Sequence, residues 1–157
     1  TGSMVIDRVY NVGYCGLSNR ADEEGCRRMH EAFGLKATLQ FQLDPSEYHT
    51  NIVLAVLAGK VCVIYKKAFA DPAVADMIES LYLNRTASIT EEEKNNFVAN
   101  CIAATDQDIL MSQTAVDSLT SQTRYVLERN GFEIHGIEID ELEKGGGSLR
   151  CLIAEVF

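Results

Sequence analysis

Short apolar runs alternate with amphipathic stretches along the chain, and the two periods predict strands and helices in a recurring order. Apolar, β-branched runs predict strands over 5–6 and 9–17. A helix follows over 21–33, stopped by Gly34, and then a strand over 37–43. The next stretch predicts strands over 52–57 and 61–65 around a Gly59-Lys60 turn, then a helix over 72–83. Pro72 sits near the first helical position and Asp71 precedes it as a cap. A third stretch predicts strands over 101–104 and 109–111 around a turn at 105–108. One helix is expected from Ser112 or Thr114 to Arg129, ending at Asn130-Gly131. Strands over 132–139 and 151–156 close the chain. The order of paired strands, a helix and another strand recurs at roughly 50 residues, which predicts an α/β (α+β) protein. Three such units without closure leave sheet edges exposed and call for a partner, either further chain or a second subunit.

Composition narrows the function classes. The chain has 157 residues, of which 46% are hydrophobic and 24% charged, values of a folded and not a disordered chain. The formal charge of −9 repels phosphate backbones and argues against nucleic-acid binding. The longest apolar run, over 52–58, is far too short for a bilayer span, and no secretory signal pattern is visible. Five cysteines without a CxxC pair argue against a disulfide framework and for reduced thiols. The expected location is therefore intracellular, in the cytoplasm or an organelle. His30, His49 and His135 are scattered with no HExxH pattern, so neither a metal nor a cofactor is expected. Thr1-Gly2-Ser3 before Met4 reads as a tag scar or as an internal beginning.

Three segments carry candidate chemistry. Gly145-Gly146-Gly147 precede Ser148 and Cys151, and a glycine-rich turn there places the sulfur near backbone N–H groups, where a thiolate is favoured. The competing reading is a glycine hairpin followed by a buried strand cysteine. Tyr48-His49-Thr50-Asn51 lies just before a strand, where His49 suits general acid and base work or is an ordinary loop histidine. Gly16-Leu17-Ser18-Asn19-Arg20 lies between a strand and a helix, where Arg20 either clamps a carboxylate or is a plain surface arginine. Cys62 reads as core, and Glu91-Glu92-Glu93 as a solvated helix start. Ser18 and Ser112 lack a GxSxG context. The glycines at 145–147 are expected to lead into a strand, which argues against a phosphate loop.

In this order, Cys15 to Arg20, Tyr48 to Asn51, Phe97-Val98-Ala99-Asn100 and the stretch from Gly145 onward resemble one superfamily. It comprises the guanidine-group-modifying enzymes of the pentein fold: arginine deiminases, dimethylarginine dimethylaminohydrolases and amidinotransferases. Thr1 to Arg8 shares in the resemblance, which covers the whole chain and extends to CtlX-like citrulline-utilisation hydrolases. In that family five αβ units close around a central site, and this chain resembles the last three. The resemblance thus implies a partial five-bladed α/β propeller. Residues 1–157 would be one domain of three ββαβ-type units, roughly 4–47, 48–96 and 97–157. It also implies that the chain begins at an internal position.

The resemblance further implies cysteine chemistry on the guanidine group of an arginine-like molecule. Cys151 would attack the guanidinium carbon, His49 would protonate the departing amine, and Arg20 would hold the substrate carboxylate. Backbone at Gly146 and Gly147 would line the pocket. Asn51 stands where some relatives carry an acid, and its uncharged amide would contact the substrate without neutralising it. The family's guanidinium-gripping carboxylates lie mostly in the earlier units, so activity implies an N-terminal portion or second chain. Hydrolysis and amidino transfer both remain open. So do a catalytically inactive pentein-like scaffold that binds a protein partner, and an amino-acid sensor built on Arg20 and the glycine loop.

Overall fold

A computed structural model describes residues 2–155. Expectations that touch Thr1, Val156 and Phe157 lie outside the described residues. Three three-stranded sheets follow one another along the sequence, each an antiparallel pair with a third strand added in parallel.

In the first sheet, β1 (Met4–Asp7) pairs with β2 (Val12–Leu17). The expected strand over 9–17 starts three residues late. The Asp7 carboxylate accepts the N–H groups of Val9 (3.0 Å) and Tyr10 (3.2 Å), and Asn11 is left-handed, so residues 8–11 turn. Helix α1 (Glu23–Ala32) is capped by Asp22, whose side chain accepts from Gly25 N–H at 2.8 Å. Gly34, at φ 59°, ends the turn after it, and β3 (Ala37–Gln42) returns parallel to β2.

In the second sheet, a 3-10 turn over Thr50–Ile52 takes up the first residue of the strand expected over 52–57, and β4 (Leu54–Leu57) starts two residues late. Ala58 and Gly59 are both left-handed and reverse the chain into β5 (Val61–Ile64), which is buried at every position. Helix α2 (Pro72–Tyr82) is capped by Asp71 and started by Pro72, as the sequence predicts. The short strand β6 (Thr86–Ser88), parallel to β5, was not expected.

Helix α3 (Glu91–Asn95) leads to the third sheet, β7 (Ile102–Ala103) and β8 (Asp108–Ser112). The single helix expected to reach Arg129 is two, α4 (Gln113–Ser118) and α5 (Ser121–Arg129). Strand β9 (Glu133–Ile137) pairs parallel to β8, and α6 (Asp140–Glu143) and α7 (Leu149–Leu152) follow. The strand expected from Cys151 onward is therefore corrected. Cys151 sits in α7, residues 153–155 are irregular, and the glycines at 145–147 lead into a helix. A four-residue helix is still no phosphate cradle.

Strand β1 packs on β4 and β4 on β7, so the first strands of the sheets succeed one another side by side. The main core gathers on β4 and β5, with Leu54, Leu57, Ile64 and Ile78 fully buried. Each such side chain contributes about 2 kcal/mol of transfer free energy. A smaller cluster of Met4, Cys15, Leu17, Cys26 and Leu35 lies under α1. Buried Asp7 receives the Tyr82 hydroxyl at 2.8 Å, and Tyr82 meets Tyr14 at 3.1 Å, tying the first sheet to α2. Among the described residues no helix is long and apolar enough to cross a membrane.

Glu93 corrects the reading of 91–93 as a solvated helix start, since it is 1% exposed. Its carboxylate accepts the N–H and hydroxyl of Thr90 (2.8 and 3.0 Å) and those of Thr120 (2.9 and 3.0 Å). Thr120 caps α5, so this carboxylate holds the break between α4 and α5. Burial pushes the carboxyl up, but the Thr90 and Thr120 hydrogen bonds outweigh it and hold it below the usual range. A carboxylate depressed in the folded state stabilises above its ordinary titration range, and that stability is lost as pH falls through the folded value. Glu93→Ala should cost about 3 kcal/mol in urea unfolding at neutral pH. The gap to wild type should narrow below pH about 4, where the unfolded carboxyl is protonated. A gap that is constant with pH would show that Glu93 acts through packing alone.

Candidate active site

Of the five cysteines, Cys15, Cys26, Cys62 and Cys101 are buried and Cys151 is partly exposed. Burial pushes the Cys15 and Cys101 thiols up to about 12 and raises that of Cys62 as well, so these three stay protonated at neutral pH. Two asparagine amides hold the Cys151 sulfur. Asn51 Nδ2 lies 3.4 Å and Asn100 Nδ2 3.3 Å from Sγ, and Sγ reaches Asn51 Oδ1 at 3.8 Å. The Cys151 N–H donates to Ser148 O (3.0 Å) and Asn100 Oδ1 (3.4 Å), and Arg150 N–H to Asn100 O (3.2 Å). These bonds replace a sheet ladder and explain why an apolar run closes as a helical turn.

The segment 48–51 is stitched to the first sheet. The Thr50 hydroxyl is fully buried, accepts Gly16 N–H at 2.8 Å and donates to Ser3 O at 2.5 Å. Asn51 N–H donates to Gly2 O at 3.0 Å, and the Gly2 backbone abuts the His49 ring so closely that a Cβ would lie 2.4 Å from Nδ1. The Ser18 hydroxyl accepts Arg20 N–H (3.1 Å) and donates to Tyr48 O (2.8 Å), joining the two loops that carry Arg20 and His49. Arg20 is exposed, His49 is half-buried, and both line a cleft of about 580 Å³ with Ser18, Asp22 and Met29. Burial lowers the His49 imidazole below its usual value and the Arg20 charge lowers it further, so His49 is neutral at neutral pH. Burial raises the Tyr48 phenol, and the Cys151 sulfur adds to it, so the same segment passes within electrostatic reach of the thiol.

The structure thus joins Cys151 to Asn51 by hydrogen bonds, and His49 to Arg20 through a shared cleft. The two pairs are linked by the short stretch of chain from His49 to Asn51. The partner of Asn51 is the sulfur itself. Gly147 is buried, at φ 81°, with room for a Cβ only 3.1 Å from Cys151 Sγ. Gly146, at φ 91°, is exposed and faces open space. The nearby carboxylates are engaged elsewhere: Glu143 accepts the Ser148 hydroxyl at 2.5 Å, and Glu141 pairs with Lys144 at 2.5 Å. In the sequence, Asn100 stands out only as part of the Phe97-Val98-Ala99-Asn100 motif. Its contact with the sulfur depends on folding and left no local signal. A second cleft, about 280 Å³, runs along β1, β4 and β7 with Asn51, Arg150 and Glu155 among its lining.

Among the described residues, one cluster of acidic and histidine side chains lies apart from Cys151. The sheet register sets Asp108 opposite Glu133 and brings His135 beside them, with ligand atoms within 4.8 Å of one another. Asp108 Oδ1 and His135 Nε2 are 2.8 Å apart, and these groups involve none of the residues around Cys151. Sequence spacing hid the cluster because Asp108 and Glu133 lie on different strands.

The fold defines a class, a mixed α/β protein built of strand–helix units. The same fold occurs in a mutant N-terminal domain of ArgZ bound to substrate, an arginine dihydrolase from the ornithine-ammonia cycle in Cyanobacteria. The TM-score there is 0.81 at 21% identity, over 96% of this chain and 54% of that one. A dimethylarginine dimethylaminohydrolase variant in adduct with S-methyl-L-thiocitrulline matches at TM-score 0.69 and 21% identity, over 96% and 53%. Residues 1–157 match the eukaryotic N,N dimethylarginine dimethylhydrolase family, and the chain belongs to it. It is 28% identical over 153 residues to the N(G),N(G)-dimethylarginine dimethylaminohydrolase of Mycobacterium tuberculosis, covering 98% of this chain and 47% of that protein. YkgA of Bacillus subtilis is 25% identical over 150 residues, covering 96% and 49%. The chain spans about half the length of these relatives.

The contact between Gly147 and the sulfur is open to test. Gly147→Ala puts a side chain at positive φ, at a cost of about 1–2 kcal/mol, and crowds Sγ from one side. Both a lower Tm and slower alkylation of Cys151 by iodoacetamide should follow. A lower Tm with an unchanged alkylation rate would show that reagents reach the sulfur from another side.

Proposed function

We propose that this chain carries the nucleophile, the acid–base group and the carboxylate anchor of a hydrolase acting on the guanidine C–N bond of arginine or dimethylarginine. The observation that carries the reading is the placement of the one partly exposed thiol. Cys151 Sγ is held by the amide of Asn51, two residues from His49, which shares a cleft with Arg20. The protein names among its relatives favour hydrolysis over amidino transfer.

In this reading, Arg20 pairs with the substrate α-carboxylate and sets the guanidinium toward Cys151. The sulfur lone pair forms the S–C bond as thiolate. Neutral His49 takes the proton that Cys151 loses, and the C–N bond then breaks with the leaving amine taking that proton from His49. An amidino-thioether stays on Cys151. Neutral His49 then takes a proton from water, the hydroxide adds to the same carbon, and the C–S bond breaks to release a ureido product, citrulline. The Gly146 and Gly147 backbone lines the path of the reacting carbon, and Asn51 contacts both sulfur and substrate.

The family fold closes around five units, and here the successive β1, β4 and β7 leave a cleft between them. An N-terminal portion or second chain would supply the remaining units and complete the propeller. It would also bring the carboxylates that grip a guanidinium, since Glu141 and Glu143 are already engaged. Three units, 4–47, 48–96 and 97–157, would form this half. The experiment is citrulline formation from arginine and dimethylarginine by protein purified natively from its source. Cys151→Ser and His49→Ala should each lower turnover at least about 100-fold, and Arg20→Ala should raise KM more than it lowers kcat. No turnover and no mass adduct with either substrate would instead support a non-catalytic scaffold.

A further inference from the structure

Asn100 is an amide side chain with no exposure to water. Four hydrogen-bonding groups of this residue meet partners on two other segments. Nδ2 donates one hydrogen to Asn51 O at 2.8 Å and the other to Cys151 Sγ at 3.3 Å. Oδ1 accepts Cys151 N–H, and the backbone carbonyl accepts Arg150 N–H. The orientation of the amide is fixed by Asn51. A carbonyl oxygen can only accept, so Asn51 O requires the nitrogen, which leaves Oδ1 to face the Cys151 N–H that Ser148 O shares.

Both donors of Nδ2 are thus committed, and one of them points at a sulfur atom. A neutral thiol is a weak acceptor, whereas a thiolate accepts charge-assisted bonds about twice as strong as neutral ones. A donor fixed in place therefore interacts more strongly with the ionised sulfur than with the protonated one. Among the described residues the hydrogen-bond partners of Sγ are this amide and that of Asn51. The backbone bond from Cys151 to Oδ1 holds the sulfur within reach of the same side chain. Packing alone asks for none of this, since an apolar residue of similar volume fills a buried site without polar partners.

We infer that Asn100 is the positioning residue for Cys151. Its carbonyl anchors the Cys151 backbone, and its N–H holds the ionised sulfur against the 48–51 segment. The inference rests on reading Cys151 as the nucleophile, but its test needs no substrate.

The test follows alkylation of Cys151 by iodoacetamide across pH in wild type, Asn100→Ala and Asn100→Asp, read by intact mass. The other four thiols are buried, so a single added label reports Cys151 in the folded protein. Loss of one charge-assisted hydrogen bond corresponds to about a tenfold slower rate at neutral pH for Asn100→Ala. The rates should converge at alkaline pH, where an exposed thiol ionises without help. Asn100→Asp keeps the shape and the acceptor for Cys151 N–H but places a carboxylate where the donor stood. It should be at least as slow at neutral pH, and it decides the question should Asn100→Ala fold poorly. Rates equal to or faster than wild type at neutral pH in the folded variants would overturn the inference, because a loosened loop exposes the sulfur more. The alkylation pattern stands or falls apart from citrulline formation, so failure of the catalytic reading would be seen separately.

Discussion

A buried amide must find protein partners for its donors and acceptor, and that constraint organises this molecule at Asn100. Its partners lie on the 3-10 turn at Asn51 and on the terminal helix at Arg150 and Cys151, about 50 residues away in each direction. Helix α7 has little reason to form by itself. Four residues are too few for a stable isolated helix, and their apolar character favours a strand. The polar ties to Asn100 decide its shape, and with it the direction in which Cys151 faces. The site therefore has no independent parts. The helical turn that carries the sulfur, the segment that carries His49 and the interior of the fold share one set of hydrogen bonds.

Much of the architecture could be read from residue patterns because the cues were local. Asp71 before Pro72, Gly34 after α1 and the continuous apolar runs of β4 and β5 each fix an element by nearby chemistry. What escaped the reading depends on distant partners. Strand β6 is three residues with one buried apolar position, and it forms because β5 offers it a ladder. The break between α4 and α5 depends on a carboxylate from α3, 27 residues earlier. Asp108 meets Glu133 and His135 only through the register of β8 on β9.

The candidate site divides along the same line. Cys151, His49 and Arg20 were picked out by residue type, by position beside predicted elements and by resemblance to a family. The structure sets His49 and Arg20 on one cleft and joins their loops through the Ser18 hydroxyl. No local pattern predicted that Asn51 would turn its amide to the sulfur, or that Asn100 would join it. Glycine spacing likewise could not separate Gly147, packed on the thiol, from Gly146, facing open space. Such distinctions arise only when residues about 50 to 100 positions apart are brought to within a few ångströms.

The burial of four thiols around one accessible sulfur has a consequence for oxidation. A sulfenic acid formed at Cys151 is normally protected by condensation with a neighbouring thiol. Here Cys15, Cys26, Cys62 and Cys101 are sealed inside the fold, and the sulfur's hydrogen-bonding neighbours are amides that cannot form a disulfide. A disulfide that protects the oxidised sulfur must therefore come from a thiol beyond these 157 residues.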